Sequence, residues 1–186
     1  MNERTMTTSG LAVPALMRAT LFAAEKHRDQ RRKDASKTPY INHPIMVTNL
    51  LANVGRITDL ETLQAGMLHD TIEDTDTTPE ELEGQFGYSV CSLVLEVTDD
   101  KSLPKPERKR LQIEHAPHLS PRAKTIKIAD KIANLTDLLN SPPAEWPEKR
   151  MHQYVAWSRQ VVAGCRGHNM ALEERYEEMA RALDPR

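Results

Sequence analysis

The amino-acid sequence predicts an all-α fold built as a single helical bundle. Apolar residues recur at three- and four-residue intervals in successive segments, which is the spacing of one helix face. Proline, glycine or short polar runs separate these segments, and none alternates apolar and polar residues as a half-buried strand would. A chain of 186 residues is long enough to bury one core without crosslinks. We therefore predict one domain over residues 14–186, preceded by a flexible tail of residues 1–13.

The N-terminal part is predicted to contain three helices. Residues 14–28 carry apolar side chains at helical spacing, and Pro14 suits a first turn because its missing N–H would have no intrahelical partner there. Residues 29–39 are polar and are predicted to form a loop. Two further helices are predicted over residues 44–53 and 59–74, with Gly55 between them.

In the C-terminal part, caps and prolines mark the helix ends. The run from Thr77 to Glu81 has the pattern of an N-cap followed by a proline and two acids, which predicts a short helix ending near Phe86. Ser120 begins a long helix to Asn140, and a serine with two prolines follows it. The remaining helices are predicted over residues 89–97, 106–115, 148–164 and 168–183, with a polar loop at residues 98–104.

Composition and charge exclude several classes of protein. The net charge of −2, from 25 Lys plus Arg and 27 Asp plus Glu, gives no basic field of the kind found in nucleic-acid-binding proteins. The longest apolar runs are far shorter than the roughly 20 residues that span a bilayer, and the polar N-terminus does not resemble a signal peptide. Cys91 and Cys165 lie outside any Cys-x-x-Cys pattern, which favours reduced thiols. We therefore expect a cytoplasmic protein with neither nucleic acid nor membrane as a partner; the sequence predicts no oligomeric state.

The end of the third predicted helix concentrates one imidazole and three carboxylates. At about 100° per residue, four side chains fall on one helix face: His69, Asp70, Glu73 and Asp74. Clustered carboxylates repel one another unless a cation neutralises them. We interpret that cation as a metal ion, although a His-Asp pair by itself is more typical of an ordinary helix end.

Two distant segments supply further candidate ligands. His43 precedes a proline at a natural helix start, and this holds its ring at a rigid corner. Asp130 lies on the long predicted helix, with Asn134 one turn further along the same face. Together with His69 and Asp70 these residues supply two imidazoles and two carboxylates. This ligand set suits a divalent ion such as Mn²⁺, Fe²⁺, Co²⁺ or Zn²⁺, with further positions open to water and substrate.

This arrangement resembles the metal-binding signature of the HD-domain phosphohydrolases. The runs from His69 to Thr75, from Arg31 to Asp34 and from Pro39 to Pro44 resemble the hydrolase domain of the RelA/SpoT group. Within that group the sequence is most similar to the free-standing small alarmone hydrolases of the metazoan SpoT-homologue type. The similarity extends from about Phe22 to about Glu174 and covers most of the chain.

The resemblance implies an HD-domain enzyme that hydrolyses guanosine 3′,5′-bis(diphosphate), ppGpp, and the related pentaphosphate pppGpp. Hydrolysis at the 3′ position would release pyrophosphate together with GDP or GTP. The resemblance also implies one Mn²⁺ ion, with other divalent ions suited to the same ligands, and carboxylates at Glu73 and Asp74 that orient or deprotonate a water molecule. Only residues 131–186 follow the last ligand, so we expect no synthetase domain and an enzyme that degrades the alarmone without making it.

Substrate contacts are implied by the same resemblance. Arg32 and Lys33 match residues of the family near the guanine and the phosphates, and Asn134 matches a residue near the ribose. Three looser matches are Lys101, Arg150 and Tyr154. Ordinary packing is an equal interpretation for Tyr154. Most residues of the local basic runs are predicted to be solvated, apart from those that reach the rim of the metal site.

Three functions are consistent with the sequence. The first is the alarmone 3′-pyrophosphohydrolase. The second is an enzyme of the same fold that removes phosphate from another phosphorylated nucleotide such as NADPH, and it would release inorganic phosphate instead of pyrophosphate. The third is a metal-bound nucleotide sensor without turnover, which the intact pair of acids beside the metal argues against.

Overall fold

A computed structural model describes residues 8–184 of the chain, and these residues form an all-α domain. The ten α-helices described are α1 (Thr8–Lys26), α2 (Asn42–Asn49), α3 (Leu60–Leu68), α4 (Thr71–Asp74), α5 (Pro79–Phe86), α6 (Tyr88–Val97), α7 (Lys105–His115), α8 (Pro121–Asn140), α9 (Glu148–Cys165) and α10 (Met170–Ala182). Only isolated bridges, such as the one between Arg31 and Pro39, have extended pairing within residues 8–184. The predicted all-α fold is therefore confirmed.

Helices α8 and α3 form the centre of the domain. Helix α8 packs against α2, α6, α9 and α10, and α3 packs against α1, α2 and α6. Because α8 is surrounded on several sides, even its lysines are mostly buried, and Ile126, Ile128 and Ile132 are fully buried. Helix α8 carries the candidate ligand Asp130, and the candidate ligands His69 and Asp70 directly follow the end of α3.

Capping side chains set several helix starts as the sequence indicates. Thr78 caps α5 by accepting a hydrogen bond from the backbone N–H of Glu81, and Ser120 caps α8 by accepting one from Ala123. Asp59 caps α3 in the same way, with Thr62 as the donor. These local signals work because the cap replaces hydrogen bonds that the first helical turn cannot make.

The first two predicted helices differ from the observed ones at their ends. Helix α1 begins at Thr8, so Pro14 lies inside it; the rest of the predicted tail, residues 1–7, lies outside the described residues. A helix tolerates a proline when the turns on both sides are formed, because the lost hydrogen bond is a local cost. Residues 50–54, predicted as regular helix, form a π-helical turn in which the N–H of Gly55 donates to Leu50 O at 2.9 Å.

The prediction of one helix over residues 59–74 is wrong at the candidate site. Helix α3 ends at Leu68, and the short helix α4 begins at Thr71. The Thr71 hydroxyl donates to Leu68 O at 2.7 Å, and the ring of His69 bonds to Gly66 O at 2.9 Å, so side chains take up carbonyls that a continuing helix would use. Asp70 has φ −98° and ψ −4°, in the bridge region that active-site residues often occupy.

Candidate active site

Residues from three distant segments bring two imidazoles and two carboxylates to one point. His43 lies in the first turn of α2 and Asp130 in the middle of α8. His69 and Asp70 lie in the break between α3 and α4. His43 Nε2 is 3.2 Å from Asp130 Oδ1 and 3.6 Å from Asp70 Oδ2. His69 Nε2 is 3.2 Å from Asp70 Oδ2 and 4.0 Å from Asp130 Oδ1.

These separations fit a shared divalent ion. Atoms that bind one first-row metal at about 2.0–2.2 Å lie roughly 3–4 Å from one another. One donor atom from each of His43, His69 and Asp130 lies within 4.8 Å of the other two. Because a carbonyl only accepts, His69 Nδ1 must donate to Gly66 O, and this leaves Nε2 of the neutral ring available to a metal ion. That Nε2 is buried and has no hydrogen-bond partner among residues 8–184.

Charge interactions within this cluster shift the pKa values of His69 and Asp130. Burial lowers the pKa of His69, but the Asp70 carboxylate outweighs it and raises that pKa to about 9. Burial raises the pKa of the Asp130 carboxyl, but Lys131, His43 and His69 outweigh it and hold the pKa well below its ordinary value. A metal that binds here displaces imidazole protons, so its affinity depends on pH.

Three neighbouring side chains orient the two carboxylates. The Tyr40 hydroxyl donates to Asp70 Oδ2 at 2.6 Å. Lys131 Nζ donates to Asp130 Oδ2 at 2.9 Å, and Asn134 Nδ2 donates to Asp130 Oδ1 at 2.6 Å. The sequence alone predicts no role for Tyr40, although its place three residues before His43 is a signal for one. Partners of this kind fix ligand orientation in metal sites.

Glu73 and Asp74 line the same cavity but lie in different environments. Glu73 Oε2 accepts a hydrogen bond from the backbone N–H of Asp99 at 3.0 Å, yet burial raises the pKa of Glu73 to about 7. Asp74 Oδ2 accepts from Gln30 Nε2 at 2.9 Å, and its other oxygen pairs with Lys101. Glu73 can therefore exchange a proton near neutral pH, whereas Asp74 is held by an amide and an ammonium group.

The ligand cavity, about 160 Å³ in volume, opens into a cleft of about 760 Å³. Tyr40, His43 and Glu73 line both spaces, so the cavity with the four candidate ligands adjoins the inner end of the cleft. All six residues proposed as substrate contacts line the cleft: Arg32, Lys33, Lys101, Asn134, Arg150 and Tyr154. A cleft of this size is in the range of small-molecule sites.

Aromatic rings and guanidinium groups form one side of this cleft. The Arg150 guanidinium lies 4.3 Å from the centroid of the Trp146 ring, and the Tyr154 ring lies 6.0 Å from the same ring. Arg32, which also lines the cleft, donates from Nη2 to Asn134 Oδ1 at 3.1 Å and pairs with Asp137. These contacts preorganise two guanidinium groups, and planar guanidinium forks suit phosphate oxygens.

Helix α7 adds cations that sequence analysis treated mostly as a solvated face. Lys105, Arg108 and Lys109 all line the cleft. Arg108 Nη1 lies 3.8 Å from Glu73 Oε1, and Lys109 Nζ lies 4.5 Å from the centroid of the Trp157 ring. The basic run at residues 105–110 was the signal in the sequence, but it does not show which side of the helix meets the cleft.

Comparison with protein families agrees with this geometry. A family profile described as "HD domain" matches residues 19–156, a segment that includes all four candidate metal ligands. The chain belongs to the HD-domain family. The resemblance seen in the sequence is therefore confirmed.

Named relatives match this HD-domain protein over nearly its whole length. The guanosine-3′,5′-bis(diphosphate) 3′-pyrophosphohydrolase MESH1 of Danio rerio is 55% identical over 174 residues, which cover 94% of this chain and 96% of the relative. The protein of the same name from Homo sapiens is 56% identical over 165 residues, covering 89% and 92% of the two chains. A solved structure described as a metazoan ortholog of SpoT that hydrolyses ppGpp has 50% identity and a TM-score of 0.88, covering 90% and 94%.

Two further findings bear on the HD-domain protein as a whole. Within residues 8–184, every helix is too short or too polar to cross a membrane. Cys91 and Cys165 are both buried and are free thiols in the described part of the chain, as the sequence predicts.

Proposed function

We propose that this HD-domain protein is a metal-dependent guanosine-3′,5′-bis(diphosphate) 3′-pyrophosphohydrolase. The observation that carries the proposal is the four-ligand cluster of His43, His69, Asp70 and Asp130 at the inner end of a cation-lined cleft. The names of relatives that are more than 50% identical support the substrate. The substrate is ppGpp or pppGpp, and the products are pyrophosphate with GDP or GTP.

The proposed metal is one Mn²⁺ ion held by these four side chains. Mixed imidazole and carboxylate ligands suit Mn²⁺ better than a site rich in thiolates would. When bound, the ion polarises the 3′-linked phosphoryl group and lowers the pKa of a water molecule to near neutrality. Tyr40 and Lys131 keep the two carboxylates in the orientation that holds the ion.

Glu73 is proposed as the general base and Asp74 as the group that orients the attacking water. A pKa of about 7 lets the Glu73 carboxylate accept the proton of that water and release it again at neutral pH. Asp74 is ion-paired with Lys101 and bonded to Gln30, so it keeps one orientation during the reaction. Two repelling acids beside a metal serve no purpose in a protein that only binds the nucleotide.

The cleft would bind the nucleotide through separate charge and stacking contacts. Arg32 and Lys33 contact the guanine and the phosphates in this proposal, and Asn134 contacts the ribose. Arg150 and Lys101 neutralise phosphate oxygens. The Tyr154 and Trp146 rings, tilted by 53° to each other, offer aromatic surface in the same cleft.

The free, buried thiols of Cys91 and Cys165 suit a reducing compartment, and we propose that the protein acts in the cytoplasm on a soluble nucleotide.

The proposed enzymatic activity is tested by incubation of metal-stripped protein with ppGpp, with and without Mn²⁺, alongside Glu73→Gln. We expect GDP and pyrophosphate only with Mn²⁺ and intact Glu73. No turnover by a folded, metal-loaded sample would overturn the proposal. Release of inorganic phosphate from NADPH, with ppGpp left intact, would favour the alternative phosphatase function.

A further inference from the structure

His27 is a buried imidazole outside the ligand cluster. It follows the last residue of α1, and only 2% of its surface is exposed. Its ring packs 4.9 Å from the ring of Tyr40, the residue that bonds to Asp70. His27 Nδ1 lies 2.7 Å from Gln30 Oε1, and Gln30 Nε2 lies 2.9 Å from Asp74 Oδ2. A continuous chain of hydrogen bonds therefore joins this imidazole to Asp74.

The hydrogen bonds from His27 through Gln30 to Asp74 all run in one donor-to-acceptor direction, which Asp74 determines. An ionised carboxylate only accepts hydrogen bonds, so the amide nitrogen of Gln30 must face Asp74. The amide oxygen of Gln30 then faces His27, and an oxygen at 2.7 Å requires that Nδ1 carries the proton. A reversed amide would aim its oxygen at the Asp74 carboxylate and repel it.

The surroundings of His27 also favour a proton on Nδ1. Burial lowers the pKa of His27, so the ring is neutral at physiological pH and has one N–H. Its Nε2 is buried and has no partner in the described part of the chain. With the proton on Nδ1 the unpaired atom is an acceptor, which is less costly than a buried N–H without a partner.

We infer that His27 and Gln30 act as positioning residues that lock the orientation of the Asp74 carboxylate beside the metal ligands. The inference rests on the proposed function and extends it to residues that contact neither the metal nor the reacting phosphorus. His27 prevents the Gln30 amide from rotating, and Gln30 in turn holds Asp74 against the pull of Lys101 on its other oxygen. Such supporting contacts change activity about 10- to 100-fold in metal enzymes.

A kinetic test compares His27→Leu with His27→Asn. The amide nitrogen of asparagine can take the place of Nδ1, so His27→Asn keeps the donor and His27→Leu removes it. We expect His27→Leu to lower kcat for ppGpp about tenfold with an unchanged KM, and His27→Asn to restore most of the loss. Equal losses in both variants would overturn the inference, because they would indicate a packing role.

This relay of hydrogen bonds from His27 through Gln30 to Asp74 also predicts that the effects of two substitutions are not additive. Because His27 acts through Gln30, adding His27→Leu to Gln30→Leu should cause no further loss of kcat. Losses that multiply in the double variant would show that His27 acts independently of Gln30 and would overturn the relay.

A spectroscopic test separates this inference from the proposed function. Nitrogen-15 NMR of the metal-free protein should show His27 with its proton on Nδ1. It should also show that the side-chain amide of Gln30 loses protection from exchange in His27→Leu but not in His27→Asn. A proton on Nε2 in the unmodified protein would overturn the relay. These readouts need no turnover, so they decide the relay even if ppGpp proves not to be the substrate.

Discussion

The Tyr40 hydroxyl lies 2.6 Å from Asp70 Oδ2 and donates a hydrogen bond to it. Burial raises the pKa of Tyr40, and the nearby Asp70 carboxylate raises it further, so the phenol remains a donor at all physiological pH values. The bond holds one oxygen of Asp70 toward the two imidazoles. We therefore expect Tyr40 to contribute to metal binding without being a ligand.

Replacing this tyrosine tests that contribution. We expect Tyr40→Phe to weaken Mn²⁺ binding about tenfold, because the ring still packs but the Asp70 carboxylate is free to rotate. Calorimetric titration of the metal-stripped protein measures the change. Tyr88→Phe is the matched control, since Tyr88 is 74% exposed on α6. Equal affinities for Tyr40→Phe and the unmodified protein would contradict the assigned role.

Metal binding should also stabilise the fold. An ion bound by the native state alone adds about 2.7 kcal/mol to the free energy of unfolding at 100 times its Kd. We expect Mn²⁺ to raise the melting temperature of the unmodified protein but not that of His43→Gln. His152→Gln is the control, because His152 lies on α9 and its partner is Glu148. A similar rise in His43→Gln would show that the ion binds elsewhere.

Glu73 should make the metal-free protein less stable as pH rises. Its folded-state pKa is raised from 4.5 to about 7, so the unfolded state loses its proton first and becomes relatively more stable between these values. Glu73→Gln stays neutral. We therefore expect the free energy of unfolding of the variant to exceed that of the unmodified protein by an amount that grows from about pH 5 to about pH 8 and reaches up to about 3 kcal/mol. Below the unfolded-state pKa we expect no difference.

Chemical denaturation in the presence of a chelator, at about pH 5 and at about pH 8, measures this difference in the free energy of unfolding. Glu83→Gln serves as the control because Glu83 is exposed on α5. A gain for Glu73→Gln that does not change with pH would argue against the raised pKa.

Arg150 should affect substrate binding more than the chemical step. Its guanidinium lies over Trp146 at the cleft, away from the ligand cluster. We expect Arg150→Ala to raise KM for ppGpp about tenfold with little change in kcat, since it removes a contact made equally in the ground and transition states. Steady-state kinetics measure both constants, with Arg175→Ala on α10 as the control. A loss confined to kcat would contradict this prediction.

Two glycines provide a matched test of packing behind the site. A Cβ at Gly66 would lie 2.5 Å from Leu51 Cδ1, whereas a Cβ at Gly84 would meet no atom of a neighbouring element within 4 Å in the described part of the chain. We expect Gly66→Ala to destabilise the fold by about 1–3 kcal/mol. Gly84→Ala should stabilise α5 by up to about 1 kcal/mol. Urea denaturation measures both changes; equal effects would contradict the close approach of Leu51 in the π-helical turn to Gly66 in α3.

The candidate metal ligands are the part of the site that the sequence predicts best. His43, His69, Asp70 and Asp130 stand in short motifs whose residue types match a divalent ion, and the structure brings all four together. Their assignment as ligands remains a proposal. The sequence predicts His69 and Glu73 on one face of a continuous helix, and the break after Leu68 shows that this geometry is wrong. The same residues still face one cavity because Asp70 and α4 turn toward it.

By itself, the sequence determined the all-α fold, most helix ends and the candidate ligands, because periodicity, caps and motifs act over a few residues. Only the tertiary structure decided which more distant groups support them. Gln30 meets Asp74 across 44 positions, and Arg32 meets Asn134 across 102. Such contacts depend on how whole helices and the loop after α1 pack, and the raised pKa of Glu73 depends on the burial that this packing creates.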